Sequence, residues 1–173
     1  MVEKFDLLKH FGVYGVAIDN DKLLVIEKNS GPYQNRYDLP GGSQEVGESM
    51  VDTLEREVLE ETGFTVLAST NNRLYSAWIY ENDRRVVGHH IFNLFDVKLN
   101  SVAKKLPKIV ADGKNDSDRA VWKLIKNLSV ENSSPLVLKV IAKINNYPHV
   151  DKAEIYRDWK VNYGSKNYPK PLV

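Results

Sequence analysis

Residues 42–64 read GSQEVGESMVDTLEREVLEETGF. Five residues separate Gly42 from Glu48, seven separate Glu48 from Arg56, and Glu57, Glu60, Glu61 and Gly63 follow closely. The stretch from Ser49 to Thr62 predicts a helix, because Val51, Leu54 and Val58 recur at spacings of three and four. Gly63 suits the left-handed cap that ends a helix. With Glu57 set at zero, a helix places Glu61 at about +40° and Glu60 at about −60°. The three carboxylates share one arc and are expected to converge on a point. Leu54 falls at about +60° and Val58 at about +100°, so the acidic arc borders the apolar stripe.

Like charges at the edge of a buried face repel by energies on the order of a kcal/mol. Arg56 is expected to pair with only part of the cluster. A divalent cation held by oxygen is the simplest compensation, and hard Mg²⁺ or Mn²⁺ suits carboxylates. Glu48 precedes the helix, where a carboxylate meets the positive end of the dipole. Small Thr53, at about −40°, is expected to leave room beside the cluster. The plain alternative is a solvated helix rich in glutamate.

The remainder of the chain bounds the reading. Its 173 residues suit one ordinary domain with a short extension. Lys and Arg number 24 against 23 Asp and Glu, a formal charge of +1. That balance argues against a broad nucleic-acid surface, which needs a strong basic field. With no cysteine, disulfides, zinc–thiolate centres and cysteine nucleophiles are excluded. The opening MVEKFDLLKH lacks a basic head before a long apolar run, so no secretory signal is expected. The apolar run from Phe11 to Ile18 is far short of the roughly 20 residues that span a bilayer. A cytoplasmic protein without membrane contact is therefore expected.

Residues 11–18 and 22–27 predict a hairpin around Asp19-Asn20-Asp21. Arg36 to Leu39 predicts a short extended piece ended by Pro40-Gly41-Gly42. Residues 64–80, with a break near 69–72, and residues 85–99 predict a long hairpin turning at Asn82-Asp83. Residues 100–118 read as loop and Ala120 to Leu124 as a short strand. Ser133 or Ser134 caps a second helix with Pro135 at its first position. Residues 1–150 are expected to form the domain. Residues 151–173 form an aromatic and basic extension, expected to pack on that domain. Covering the site and contacting a second copy in a homodimer are its alternatives. Strands, helix, strands, helix predicts an α/β (α+β) class, an α/β/α sandwich with a mixed sheet.

Gly42, Glu48, Arg56, Glu57, Val58, Glu60, Glu61, Gly63 and Phe64 fit Gly-x5-Glu-x7-Arg-Glu-U-x-Glu-Glu-x-Gly-U, where U is bulky and apolar. This pattern resembles the Nudix box at every constrained position. Tyr37 to Gly42 also resembles the segment ahead of such a box, and the likeness extends loosely over residues 8–146. The resemblance implies a Mg²⁺- or Mn²⁺-dependent hydrolase that splits a phosphoanhydride in a nucleoside diphosphate linked to another group. It implies Glu60 and Glu61 as metal ligands, Glu57 as ligand or general base, and Glu48 as a ligand of a second metal. A backbone oxygen of Gly42 or Gly41 completes the set. Arg56 is implied to orient a glutamate, and the catalytic group becomes Glu57, Glu60 and Arg56.

Weaker signals complete the list. Arg36, ahead of the glycines, is a substrate-binding candidate at a phosphate, with an ordinary surface arginine as the alternative. Tyr80, seventeen residues beyond Gly63, matches loosely a tyrosine of relatives acting on dinucleoside polyphosphates. Asp116 and Asp118 sit where some relatives place another acid, although an ordinary turn explains them. His89 and His90 point to opposite faces of a strand. The proline expected of the ADP-ribose group is absent, as is any motif of the NADH pyrophosphatase type. The leading expectation is a MutT-like nucleoside triphosphate pyrophosphohydrolase. The alternatives are activity on dinucleoside polyphosphates or nucleotide sugars, and a non-catalytic module that senses a nucleotide metabolite.

Overall fold

The computed structural model describes residues 5–100, 117–147 and 152–162. Two sheets carry the fold. The larger runs β5 (Gly41–Gly42), β1 (Asp6–Val16), β7 (Val86–Leu99), β6 (Val66–Glu81) and β9 (Glu154–Tyr156). It is mixed: β1 pairs in parallel with β7, and β6 pairs antiparallel with β7. The smaller sheet is antiparallel, with β2 (Ile18–Asp19), β4 (Tyr37–Asp38) and β8 (Ser117–Leu124) all pairing with β3 (Lys22–Lys28).

The period of two in β1 decides what lies on each face of the large sheet. Val13 joins Phe95 and Val66 beneath helix α1 (Met50–Thr62), which contributes Leu54 and Val58. Leu54 and Val58 are fully buried, each stabilising by about 1.5–3 kcal/mol. Tyr14 and Val16 face the other way, into a core with Leu23 and Val25 of β3 and Leu136, Val137 and Val140 of helix α2 (Pro135–Ile144). The expected α/β/α arrangement with a mixed sheet is thus present, with a second sheet added.

Helix α1 starts and stops, and α2 starts, where the sequence places them. Ser49 and Asp52 cap α1 reciprocally, and Gly63 ends it at φ 74°. Ser134 caps α2, with Pro135 in the first turn. The long β6–β7 hairpin is also present, and its expected break is a bulge between Thr70 and Arg73, with Asn71 at φ 53°.

The first hairpin needs correction. Only β2 turns back on β3, while β1 belongs to the other sheet and begins at Asp6. Leu7 and Leu8 are 52% and 57% exposed, so no burial pattern marks the start of that strand. Its partner β7 lies far away in sequence, beyond any local signal. The loop expected over 100–118 falls mostly outside the described residues, and Asp116 with it.

From the extension, β9 adds to the edge of β6, and Trp159 is buried with its indole N–H donated to the Pro32 carbonyl at 2.7 Å. No helix among the described residues is long and apolar enough to cross a membrane.

Candidate active site

The Gly41–Gly42 strand is the platform. It lies against β1, with Gly42 opposite Val13 and Gly41 opposite Tyr14. Gly41 holds φ 145°, and a Cβ there would stand 2.2 Å from the Val13 carbonyl oxygen, so only glycine fits. A Cβ on Gly42 would stand 2.6 Å from the Glu57 carboxylate. The bare backbone therefore lets α1 bring Glu57 against residue 42. One turn later, the Glu61 carboxylate accepts the Gly41 N–H at 2.8 Å.

Arg56 fans across the other carboxylates. Its Nε donates to Glu48 Oε1 at 2.6 Å, and one terminal nitrogen donates to Glu57 at 3.0 Å and Glu60 at 3.4 Å. The other terminal nitrogen donates to Glu48 Oε2 at 3.0 Å and to the Ser43 carbonyl at 3.0 Å. Arg56 thus pairs with Glu57 and Glu60, part of the expected cluster, and with Glu48 as well. Thr53 is not a passive spacer either, since its hydroxyl donates to Glu48 Oε2 at 2.8 Å. Glu61 is buried, whereas the Glu60 side chain is 40% exposed and is the carboxylate most open to water.

The expected convergence of three carboxylates on a point is corrected. Among the described residues, no three acidic or imidazole groups already stand as a metal shell. The reason is electrostatic: the guanidinium draws Glu48, Glu57 and Glu60 to itself, and the Gly41 amide holds Glu61. The donor set still suits a hard cation, because it offers four carboxylates against one guanidinium and no soft ligand.

The Arg56 hydrogen bonds, then the Glu45 amide, hold the Glu48 carboxyl down to about 2. Arg56 is pushed further above its ordinary value, chiefly by the bond to Glu48. A depressed carboxylate stabilises the fold fully above its unfolded pKa, about 4.3, and loses that contribution as pH falls through its folded value. Acid titration of wild type and Glu48→Gln should therefore show wild type losing extra stability between pH about 4 and about 2. Parallel stability curves for the two proteins would refute this.

A cavity of about 380 Å³ opens on the other face of β1. Its lining includes His10, Tyr14, Tyr33, Asp38, Glu81 and His90. Tyr14 connects it to the glutamates, since a Cβ on Gly41 would touch the Tyr14 ring at 2.7 Å. Burial first, then Asp38, raises the Tyr14 hydroxyl well above its ordinary range, and Glu61 and Glu57 add to the effect. Burial also drives His90 well below the ordinary histidine value, with His10, Lys28 and His89 adding to it.

Two expected substrate contacts are corrected. Arg36 is 7% exposed and donates to the carbonyls of Val130 and Lys160, at 2.7 and 3.2 Å, while stacking 4.2 Å over the Trp159 ring. It ties the extension, through Trp159 and Lys160, to the domain. Tyr80 falls on the face of β6 opposite Ile79 and Glu81, which line the cavity, and meets the Phe5 ring at 6.4 Å. Asp118 accepts from Asn29 at the surface. His89 and His90 both line the cavity, and His89 stacks on the neighbouring Trp78 ring at 4.0 Å. Tyr14 and Tyr33 were missed by sequence reading. The alternation Leu8-His10-Gly12-Tyr14 held a usable signal, but only once His10 is known to pair with His90.

The sequence profile of the NUDIX domain matches residues 8–122. An ADP-ribose pyrophosphatase of Methanocaldococcus jannaschii is 31% identical over 96 residues, which make up 54% of each chain. This chain thus spans about half the length of that curated relative. A MutT NUDIX hydrolase from Burkholderia pseudomallei superposes with TM-score 0.63 at 14% identity, over 79% of this chain and 98% of the other. A NUDIX hydrolase from Nitrosomonas europaea gives TM-score 0.57 at 25% identity, over 79% and 88%.

Proposed function

This chain belongs to the NUDIX domain family, and on that premise we propose that it is a metal-dependent pyrophosphohydrolase of nucleoside diphosphate derivatives. The observation that carries the reading is the Gly41–Gly42 platform. It bears Glu57 and Glu61 on one side and touches Tyr14 of the cavity on the other. A nucleoside placed in the cavity sends its diphosphate across that platform toward α1. The volume of about 380 Å³ suits a small organic group.

Hydrolases of this family generally use a divalent metal. Glu57, Glu60 and Glu61, with Glu48 and the Gly42 backbone, would hold Mg²⁺ or Mn²⁺. When bound, the metal neutralises diphosphate charge and favours water as a nucleophile. Arg56 keeps Glu48 and Glu57 in place through its bonds to both. Glu60, the most exposed of the four, takes the proton of the attacking water at a carboxylate oxygen. The new P–O bond forms as the anhydride P–O bond breaks, and the leaving phosphate departs toward solvent.

Among substrates, the relative named as an ADP-ribose pyrophosphatase favours a diphosphate bearing two groups. The MutT-like triphosphate reading rests on the box alone. A release assay over ADP-ribose, nucleoside triphosphates, dinucleoside polyphosphates and nucleotide sugars tests the proposal with Mg²⁺, Mn²⁺ and chelator. We expect turnover of at least one diphosphate class, abolished by chelator. Ligand binding without turnover of any class would instead establish the sensing module.

A further inference from the structure

His90 is 5% exposed, and both of its ring nitrogens are engaged. Nε2 lies 3.0 Å from the Tyr14 hydroxyl and Nδ1 lies 2.8 Å from the Tyr33 hydroxyl. Tyr14 continues the chain to His10 Nε2 at 3.3 Å. All four groups line the cavity. Gly12 makes the arrangement possible, because a Cβ there would stand 2.6 Å from the Tyr14 hydroxyl oxygen.

A neutral imidazole has one N–H and one bare nitrogen, and a tyrosine hydroxyl has one hydrogen and two lone pairs. One tyrosine must therefore donate to His90 while the other accepts from it. The accepting hydroxyl keeps its hydrogen for a ligand, and the donating hydroxyl keeps its lone pairs. Moving the ring proton from Nδ1 to Nε2 exchanges the two roles without moving a heavy atom. The other end of the chain closes on His10, an exposed imidazole with the same freedom. Burial and nearby cationic groups keep His90 neutral, the state the exchange requires. The carboxylates of the lining are committed by contrast. Asp38 accepts from Ser134 at 2.6 Å and from the Leu39 amide at 2.9 Å, and Glu81 pairs with Arg84 at 3.0 Å.

We propose that Tyr14, His90 and Tyr33 form a reversible relay that reads the polar edge of a nucleotide's heterocycle, with Tyr33 as the group that contacts the base. The inference rests on the cavity being the nucleoside site. In one tautomer the Tyr33 hydroxyl donates to a ring carbonyl, and in the other it accepts from an exocyclic amino group. The cavity thereby admits both amino- and oxo-bearing bases. A fixed donor would reject one of them strongly, because a buried polar group would be left unpaired.

The test is nitrogen NMR of histidine-labelled protein with AMP and then IMP, which differ as 6-amino and 6-oxo purines. The ring nitrogen of His90 that carries the proton is expected to exchange between the two complexes. The two nucleotides are expected to bind within about fivefold of each other, and Tyr33→Phe to weaken both by about fivefold to tenfold. The same His90 tautomer in both complexes, or rejection of one nucleotide, overturns the relay. Binding of neither also overturns it, by removing the heterocycle from the cavity. Metal-dependent hydrolysis in the release assay stands or falls separately, so failure of the relay is distinguishable from failure of the hydrolase reading.

Discussion

Glu61→Gln is expected to lower turnover about a thousandfold while leaving the fold intact. Glutamine keeps the length and shape of glutamate, and its carbonyl oxygen can still accept the Gly41 N–H that Glu61 accepts at 2.8 Å. What disappears is one negative charge at a buried position beside the platform. Metal-assisted charge stabilisation of a transition state is worth several kcal/mol, and about 4 kcal/mol corresponds to about a thousandfold in rate. The exposed Glu55 on the outer side of the same helix provides the control, and Glu55→Gln should act like wild type. Steady-state rates on the best substrate of the panel, with circular dichroism for folding, decide the matter. Full activity in well-folded Glu61→Gln would remove Glu61 from the site.

Arg56→Met should strike stability and activity together. Three carboxylates within 3.4 Å of the guanidinium lose their common partner. Breaking a fully buried pair is strongly destabilising, and the loss is smaller here because these groups stay partly exposed to water. That loss lowers Tm by a few degrees for a chain of this size. Glu48 and Glu57 also lose the bonds that aim them, so activity should fall by about tenfold to a hundredfold. Arg56→Lys should not rescue it, because an ammonium cannot serve three carboxylates and the Ser43 carbonyl with one planar fork. Mg²⁺ should raise the Tm of Arg56→Met more than that of wild type, since the cation then meets unpaired carboxylates. A thermal scan showing wild-type stability in Arg56→Met would contradict the role given to this arginine.

The glutamate helix was readable from its own residues because everything that makes it is local. Its apolar spacing, Ser49 cap and Gly63 stop lie within one short stretch. The helical angles also placed Glu57 and Glu61 on the inward edge, where the structure has them against Gly42 and Gly41. The same angles failed over convergence. They describe directions from an axis, whereas the final positions follow from hydrogen bonds to Arg56 and to a backbone amide of another strand. Arg36 misled for a related reason. Its place before the glycines is visible in the chain, but its partners Val130, Trp159 and Lys160 come from distant segments. The cavity was least readable. Tyr14 and His90 meet because β1 pairs in parallel with β7, Tyr33 joins them from the loop after β3, and no short-range pattern announces a parallel partner.

That parallel pairing also fixes a timetable. A chain emerges from the ribosome N-terminus first. Val13 and Tyr14 can join Gly42 and Gly41, and α1 can fold over them, while β7 is still unmade. During that interval β1 carries one bare edge, with Leu7 and Leu8 on it, open to any other extended chain. The edge is covered only when Val86 to Asp96 arrive and align beside Asp6 to Val16.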